Sequence, residues 1–139
     1  MKRRYTQTSA SFDHWPCVES PVQHFRLVMP EHMNHFGDLY GGNMLKWVDE
    51  IAWIAATRDY PGCRFVTIAM DRVEFHNPVA LGAILRFEVA PARAGKTSVR
   101  YHVDVFAEHA DADPNDPVFT TTMTFVHIDD AGHKQALPQ

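Results

Sequence analysis

Residues Asn43 to Arg58 constrain this chain more than any other stretch. Gly41-Gly42 precede the segment and Pro61-Gly62 follow it, so it carries helix start and stop signals at its ends. At about 100° per residue, Asn43, Lys46, Glu50 and Thr57 gather on one narrow polar arc. Lys46 and Glu50, one turn apart, are spaced to pair on that stripe. Everything else, including Trp47, Ile51, Trp53 and Ile54, is expected to face protein. A helix apolar over so wide a surface has to be wrapped by other structure. Asp49 alone breaks the pattern: it projects beside Leu45, Trp53 and Ala56, outside the polar arc.

The wrapping material is β. Val22 to Met29 alternates, with Phe25, Leu27 and Met29 on one side. After the helix come Arg64 to His76, Ala83 to Val89, Thr97 to Ala107 and Val118 to Ile128. Leu85 and Phe87 point inward in the second of these, and Val99, Tyr101, Val103 and Val105 in the third. In the last, Phe119, Met123 and Phe125 share one face and Thr120, Thr122 and Thr124 the other. Within Arg64 to His76 the apolar phase switches from Val66, Ile68, Met70 to Val73, Phe75, which predicts a bulge or strong bend near Asp71. Short connections among the last four strands force antiparallel neighbours. The fold class is therefore α+β: a curved five-stranded antiparallel sheet around one long central helix. At 139 residues there is one domain, expected over residues 22–129, with an arm at 1–21 and a polar tail at 130–139. The sheet leaves edges that need protection, and pairing with a second copy supplies it, so at least a homodimer is expected.

Several function classes drop out. The 13 Lys+Arg against 17 Asp+Glu give a formal charge of −4, without the basic stripe that nucleic acid demands. Two cysteines, Cys17 and Cys63, make no disulfide framework and suit a reducing cytoplasm. Met1 to Arg4 is basic, but polar Tyr5 to Ser11 follows where a signal peptide needs an apolar run. The longest apolar run, Ile51 to Ala56, is far short of the roughly 20 residues of a membrane span. Gly95-Lys96-Thr97 ends like a phosphate loop but leads into a strand. Asp111, Asp113 and Asn115 begin like a calcium loop, but Asp116 replaces its turn glycine and Thr122 its bidentate acid. His32 and His35 have no cysteine or third ligand in pattern, and no metal is expected.

What remains is Asn34 to Gly42 running into the helix. Gly41 and Gly42 strip side chains from a first turn whose N–H groups lack intrahelical partners, which suits negative charge. An ester or thioester carbonyl placed there has its developing oxyanion stabilised. Asp38 lies three residues ahead of this turn, and Asp49 about two turns further in. Blander roles stay open at this point. Asp38 serves equally as a helix cap, Asp49 as a buried tie, and the glycines as a close-packing device.

The blocks NHFGDLYGGNMLKWVDEIAWIAATR, VTIAMDRVEFHNPVALGAILRFEV and AGKTSV resemble the hotdog-fold acyl-CoA thioesterases. The similarity is to the YciA-like and brain-type cytosolic acyl-CoA hydrolase branch, and it spans residues 22 to 128. It implies the same helix-in-sheet fold and hydrolysis of acyl-CoA to a carboxylic acid and CoA, with no cofactor beyond the CoA of the substrate. By the same resemblance Asp38 is the loop acid that activates water or attacks the carbonyl, beside the Gly42 amide. Asp49 matches the helix acid that works from the neighbouring unit. Asn34 and Gly41 are expected on the substrate side of the loop, Asn34 without chemistry of its own. Arg93, Lys96, Thr97 and Ser98 match a basic, hydroxyl-rich turn near the CoA phosphates. Assembly beyond a dimer, into tetramers or hexamers, is left open. So are two other functions: hydroxyacyl-thioester dehydration, suggested by His35-Phe36 but lacking the Pro and Pro-Gly that follow in dehydratases, and a non-catalytic acyl-CoA-binding module.

Overall fold

Alternating apolar residues build the sheet, and the helix lies across it. The computed structural model describes residues 22–109 and 111–138. The expected arm at 1–21, with Cys17, lies outside the described residues. The order is β1 (Val22–Leu27), a 3-10 turn (Pro30–His32), α1 (Gly41–Asp59), β2 (Phe65–Phe75), β3 (Ile84–Ala94), β4 (Ser98–Glu108) and β5 (Phe119–His127). All pairings are antiparallel, in the order β1-β3-β4-β5-β2. The three central strands carry the core: Leu85, Phe87 and Val89, then Val99, Tyr101, Val103 and Val105, then Phe119, Met123 and Phe125 are fully enclosed. Onto them α1 presses Met44, Trp47, Val48, Ile51, Ala52, Ala55 and Ala56. The three alanines let the helix backbone approach the sheet, and Trp47 meets the Phe87 ring edge-on at 6.5 Å. No helix among the described residues is long and apolar enough to cross a membrane.

The expected bulge near Asp71 is present. The β2–β5 register slips between Asp71 and Glu74, Arg72 sits at φ 53°, and the Thr121 hydroxyl donates to the Asp71 carbonyl at 3.0 Å. A second slip, between Thr67 and Ala69, has no signature in the sequence pattern.

Two expectations are corrected, and the facing of β1, left open by the alternation, is fixed. The helix is not apolar-buried all round: Trp53 (41%) and Ile54 (39%) are exposed, because one sheet covers one face only. Glu50 pairs with Arg26 of β1 at 3.3 Å, and not with Lys46 as expected; the guanidinium reaches it by lying 5.3 Å over the Trp47 ring. The apolar side of β1 is the solvent side in this chain, with Phe25, Leu27 and Met29 exposed. Val28 enters the core in their place.

At the far end of α1, the hydroxyl of buried Tyr101 donates to Asp59 Oδ2 at 2.7 Å. Burial holds the Asp59 carboxyl above the ordinary carboxylate value, with the Tyr101 hydrogen bond and Arg58 opposing in part. The folded state thus binds this proton more tightly than the unfolded chain. The resulting stabilisation is complete below the ordinary carboxyl value of 3.8 and is lost as pH rises through the raised value. At neutral pH the charged carboxylate is a liability. Asp59→Asn keeps an acceptor for Tyr101 and removes the charge. It raises the melting temperature at neutral pH, and the gain shrinks as pH is lowered toward 3.8; thermal unfolding at several pH values checks both parts.

Candidate active site

The loop before α1 is held by its own polar groups. Asn34 Oδ1 accepts the amides of Phe36 (2.9 Å) and Asp38 (3.1 Å), and the Asn34 amide donates to the Asp38 carbonyl at 2.7 Å. Gly37, at φ 87°, makes the reversal that closes this ring. Leu39 donates to the Val79 carbonyl at 2.8 Å, and Asp38 bridges to Ala80, so the loop is laced to the segment after β2. The Asn43 side chain ties the helix start back to the His32 carbonyl at 2.9 Å. Capping by Asp38 is eliminated: the N-cap is Tyr40, which makes no side-chain cap bond.

At the helix start the first-turn amides of Gly41 and Gly42 have no carbonyl one turn back to bond. Gly42 is also close-packed, while Gly41 has room for ordinary contact. A Cβ on Gly41 would lie 3.4 Å from Phe75 Cζ, and one on Gly42 2.7 Å from Tyr40 Cε1. Beside this turn is a cavity of about 290 Å³. Asn34, Asp38, His76 and Asn77 give it a polar side, and Leu39, Met44, Phe75, Val79 and Val118 an apolar one. His76 carries no role in the sequence reading. Its Nε2 lies 3.3 Å from Thr120 Oγ1 and 3.7 Å from Glu74 Oε2. The only signal for it is position, at the end of a strand in His-Asn-Pro. His35 instead stacks on Phe36 at 3.9 Å in the exposed part of the loop.

Asp49 sits about 10 Å along the helix axis from Gly42. It is half-buried, and its Oδ1 accepts the Thr67 hydroxyl of β2 at 2.6 Å. The tie runs from helix to strand, and Thr67 is a partner the sequence reading missed. It lies on β2, one of the two edge strands, beside exposed Ile68 (57%).

The remaining expected site residues are not brought to this place. Ser98 pairs with Val126 and the His127 amide donates to the Thr97 carbonyl, while Phe65, at the start of β2, pairs with His127. Arg93, Lys96, Thr97 and Ser98 therefore lie at the opening end of β2. Gly41 lies against Phe75 at its closing end, roughly 30 Å away along the strand. Among the described residues no group of three His, Cys, Asp or Glu is placed to hold a metal. Asp113 is occupied in the loop itself, accepting the Asn115 amide at 2.9 Å.

The Asn34 ring of hydrogen bonds makes a direct prediction. Asn34→Ala leaves the Phe36 and Asp38 amides without their acceptor and costs about 1 kcal/mol. Thermal unfolding reads the cost, and faster amide exchange confined to residues 36–38 localises it.

A profile of the thioesterase superfamily matches residues 36–112, taking in the loop from Phe36 on, the helix and β2 through β4. The chain belongs to that superfamily. It is 31% identical to an acyl-CoA thioester hydrolase of Bacillus subtilis over 125 residues, 88% of this chain and 71% of the relative. It is 33% identical over 105 residues to acyl-coenzyme A thioesterase 11 of Mus musculus; these are 76% of this chain, but it spans only 18% of the mouse protein. Among solved structures it resembles the acyl-CoA hydrolase of Staphylococcus aureus bound to butyryl coenzyme A, coenzyme A and coenzyme A disulfide. There the TM-score is 0.76 at 31% identity, over 86% of this chain and 73% of that one. Alanine mutants of the same hydrolase at an aspartate, an asparagine and a threonine match equally well. The hexameric thioesterase of Yersinia pestis also has a TM-score of 0.76, at 27% identity over 89% of this chain and 98% of that one. As in those thioesterases, one helix packs on a five-stranded antiparallel sheet, the hotdog fold.

Proposed function

We propose that this chain hydrolyses acyl-CoA to a carboxylic acid and free CoA at a site shared by two copies. The observation that carries the reading is Asp49, an acid on an otherwise apolar helix surface outside the polar arc, oriented at 2.6 Å by a threonine on the edge strand β2. The asparagine and aspartate replaced in the Staphylococcus hydrolase are fifteen positions apart, the same spacing as Asn34 and Asp49. Its threonine follows the aspartate by 17 positions, where Thr67 follows Asp49 by 18.

In this mechanism Asp49 takes a proton from water as the water oxygen bonds to the thioester carbon. The carbonyl oxygen becomes an oxyanion beside the Gly41 and Gly42 amides of the other copy, where the helix dipole favours negative charge. Collapse breaks the C–S bond, and CoA leaves as a thiolate, which is tolerable for a thiol of pKa about 8.5. Asp38 lines the cavity beside those amides and orders the water or the substrate there. Asn34 holds the Asp38 loop. Arg93, Lys96, Thr97 and Ser98 offer cationic and hydroxyl donors to the CoA phosphates.

Two arguments support the second copy. The Asp38 cavity and the basic turn occupy opposite ends of one chain, so a two-fold partner with antiparallel edges brings one chain's helix start toward the other's turn. The edge that would pair, β2, exposes Val66, Ile68, Val73 and Phe75, a row of large apolar side chains. Assembly beyond the dimer follows the hexameric relatives.

Thiol release from acyl-CoAs running from acetyl to palmitoyl tests the reaction. Asp49→Asn lowers kcat by about 100-fold or more with little change in KM, in line with loss of a general base. Asp38→Asn lowers it by less. The reverse order would move the base to Asp38, and binding without turnover by the unaltered protein would sink the enzyme reading. Ile68→Asp places a charge in the expected edge and yields a folded, inactive monomer, as read by sedimentation and thiol release together.

A further inference from the structure

The segment after β5 has the composition of a loose polar tail, yet it is fixed to the domain along its length. Ile128 and Lys134 form an antiparallel bridge around a turn in which Asp129 Oδ1 accepts the amides of Ala131 and His133, both at 2.9 Å. The Gln135 amide donates to the His127 carbonyl at 2.8 Å. The Leu137 amide donates to the Lys96 carbonyl, also at 2.8 Å, and its side chain is buried in the core at 5% exposure. Lys96 belongs to the tight β3–β4 turn, closed by the Gly95 amide on the Ser98 carbonyl at 2.7 Å. The other flank of that turn is held by the His127 amide on the Thr97 carbonyl at 2.9 Å. Its backbone is therefore clamped from β5 on one side and from the C-terminal segment on the other.

We propose that residues 134–138 act as a strap that fixes the β3–β4 turn for the phosphate-bearing end of acyl-CoA, with Leu137 as the positioning residue. A glycine-containing hairpin turn left to itself samples many conformations, and a ligand that needs Lys96, Thr97 and Ser98 together has to order them on binding. The anchored Leu137 side chain and its bond to Lys96 order them beforehand. The strap rests on the reading that this turn receives the CoA phosphates, and the experiment separates the two.

The test compares acyl-CoA with the acyl-pantetheine of the same acyl group, which lacks the nucleotide and its phosphates. Both are assayed with the unaltered protein, Leu137→Ala, Leu137→Met and Lys96→Ala, and CoA binding is measured by calorimetry in each. Leu137→Ala raises KM for acyl-CoA and Kd for CoA by about tenfold. Its kcat and its KM for acyl-pantetheine do not change, and Leu137→Met restores the original values. Equal losses on both substrates would mean that Leu137 merely stabilises the fold, and no loss on either would mean that the turn needs no strap; each overturns the proposal. If Lys96→Ala weakens acyl-CoA and CoA while Leu137→Ala does not, the strap falls and the phosphate reading stands. If Lys96→Ala changes neither, the phosphate reading falls and takes the strap with it.

Discussion

One burial supports the rest of the structure: the face of α1 from Met44 to Ala56 against the inner surface of β3, β4 and β5. The sheet alone would leave Phe87, Tyr101, Met123 and Phe125 in water, and the helix alone would leave Trp47, Val48 and Ile51 there. Ala52, Ala55 and Ala56 set how closely they meet, since each lacks the bulk that would hold the backbones apart. Once this contact forms, the start of the helix is fixed against Phe75 and its end against Tyr101. The positions of the first-turn amides and of Asp49 follow from it.

The same burial leaves a remainder that shapes function. One sheet covers one side of a helix, so Ile54, beside β1, and Trp53, whose indole donates to the Phe65 carbonyl of β2, stay exposed, and β2 shows Ile68 and Phe75. Asp49 and Thr67 sit within this uncovered region, bonded to each other. In the proposed mechanism, chemistry and assembly share that surface. The Asp38 cavity and the basic turn are separated by the length of β2.

Periodicity made much of this readable in advance. The inward sets on β3, β4 and β5 alternate at period two, and the bulge near Asp71 announces itself as a change of phase. The Asp38 loop and the glycine pair are legible because glycines at a helix start are costly without a reason. Other features are not. Arg26 reaches Glu50 across 24 residues of sequence, displacing the local Lys46 pairing that spacing favours. Thr67 and His76 look like ordinary strand residues until the sheet sets one beside Asp49 and the other on the cavity wall. Leu137 lies in a stretch whose composition is that of solvent-exposed chain, and a single leucine carries no periodicity.

The sequence by itself determined the class of fold, the single helix, the strand count and the superfamily. All of these are written in local pattern, in which a residue's meaning depends on neighbours a few positions away. Tertiary structure decided the strand order, which acid has a threonine partner, which apolar faces stay uncovered and where the C-terminal segment docks. Those depend on contacts between residues well separated in the chain, such as Tyr101 with Asp59 or Leu137 with Lys96. Only a closed hydrophobic core, with one way to satisfy its buried groups, selects among them.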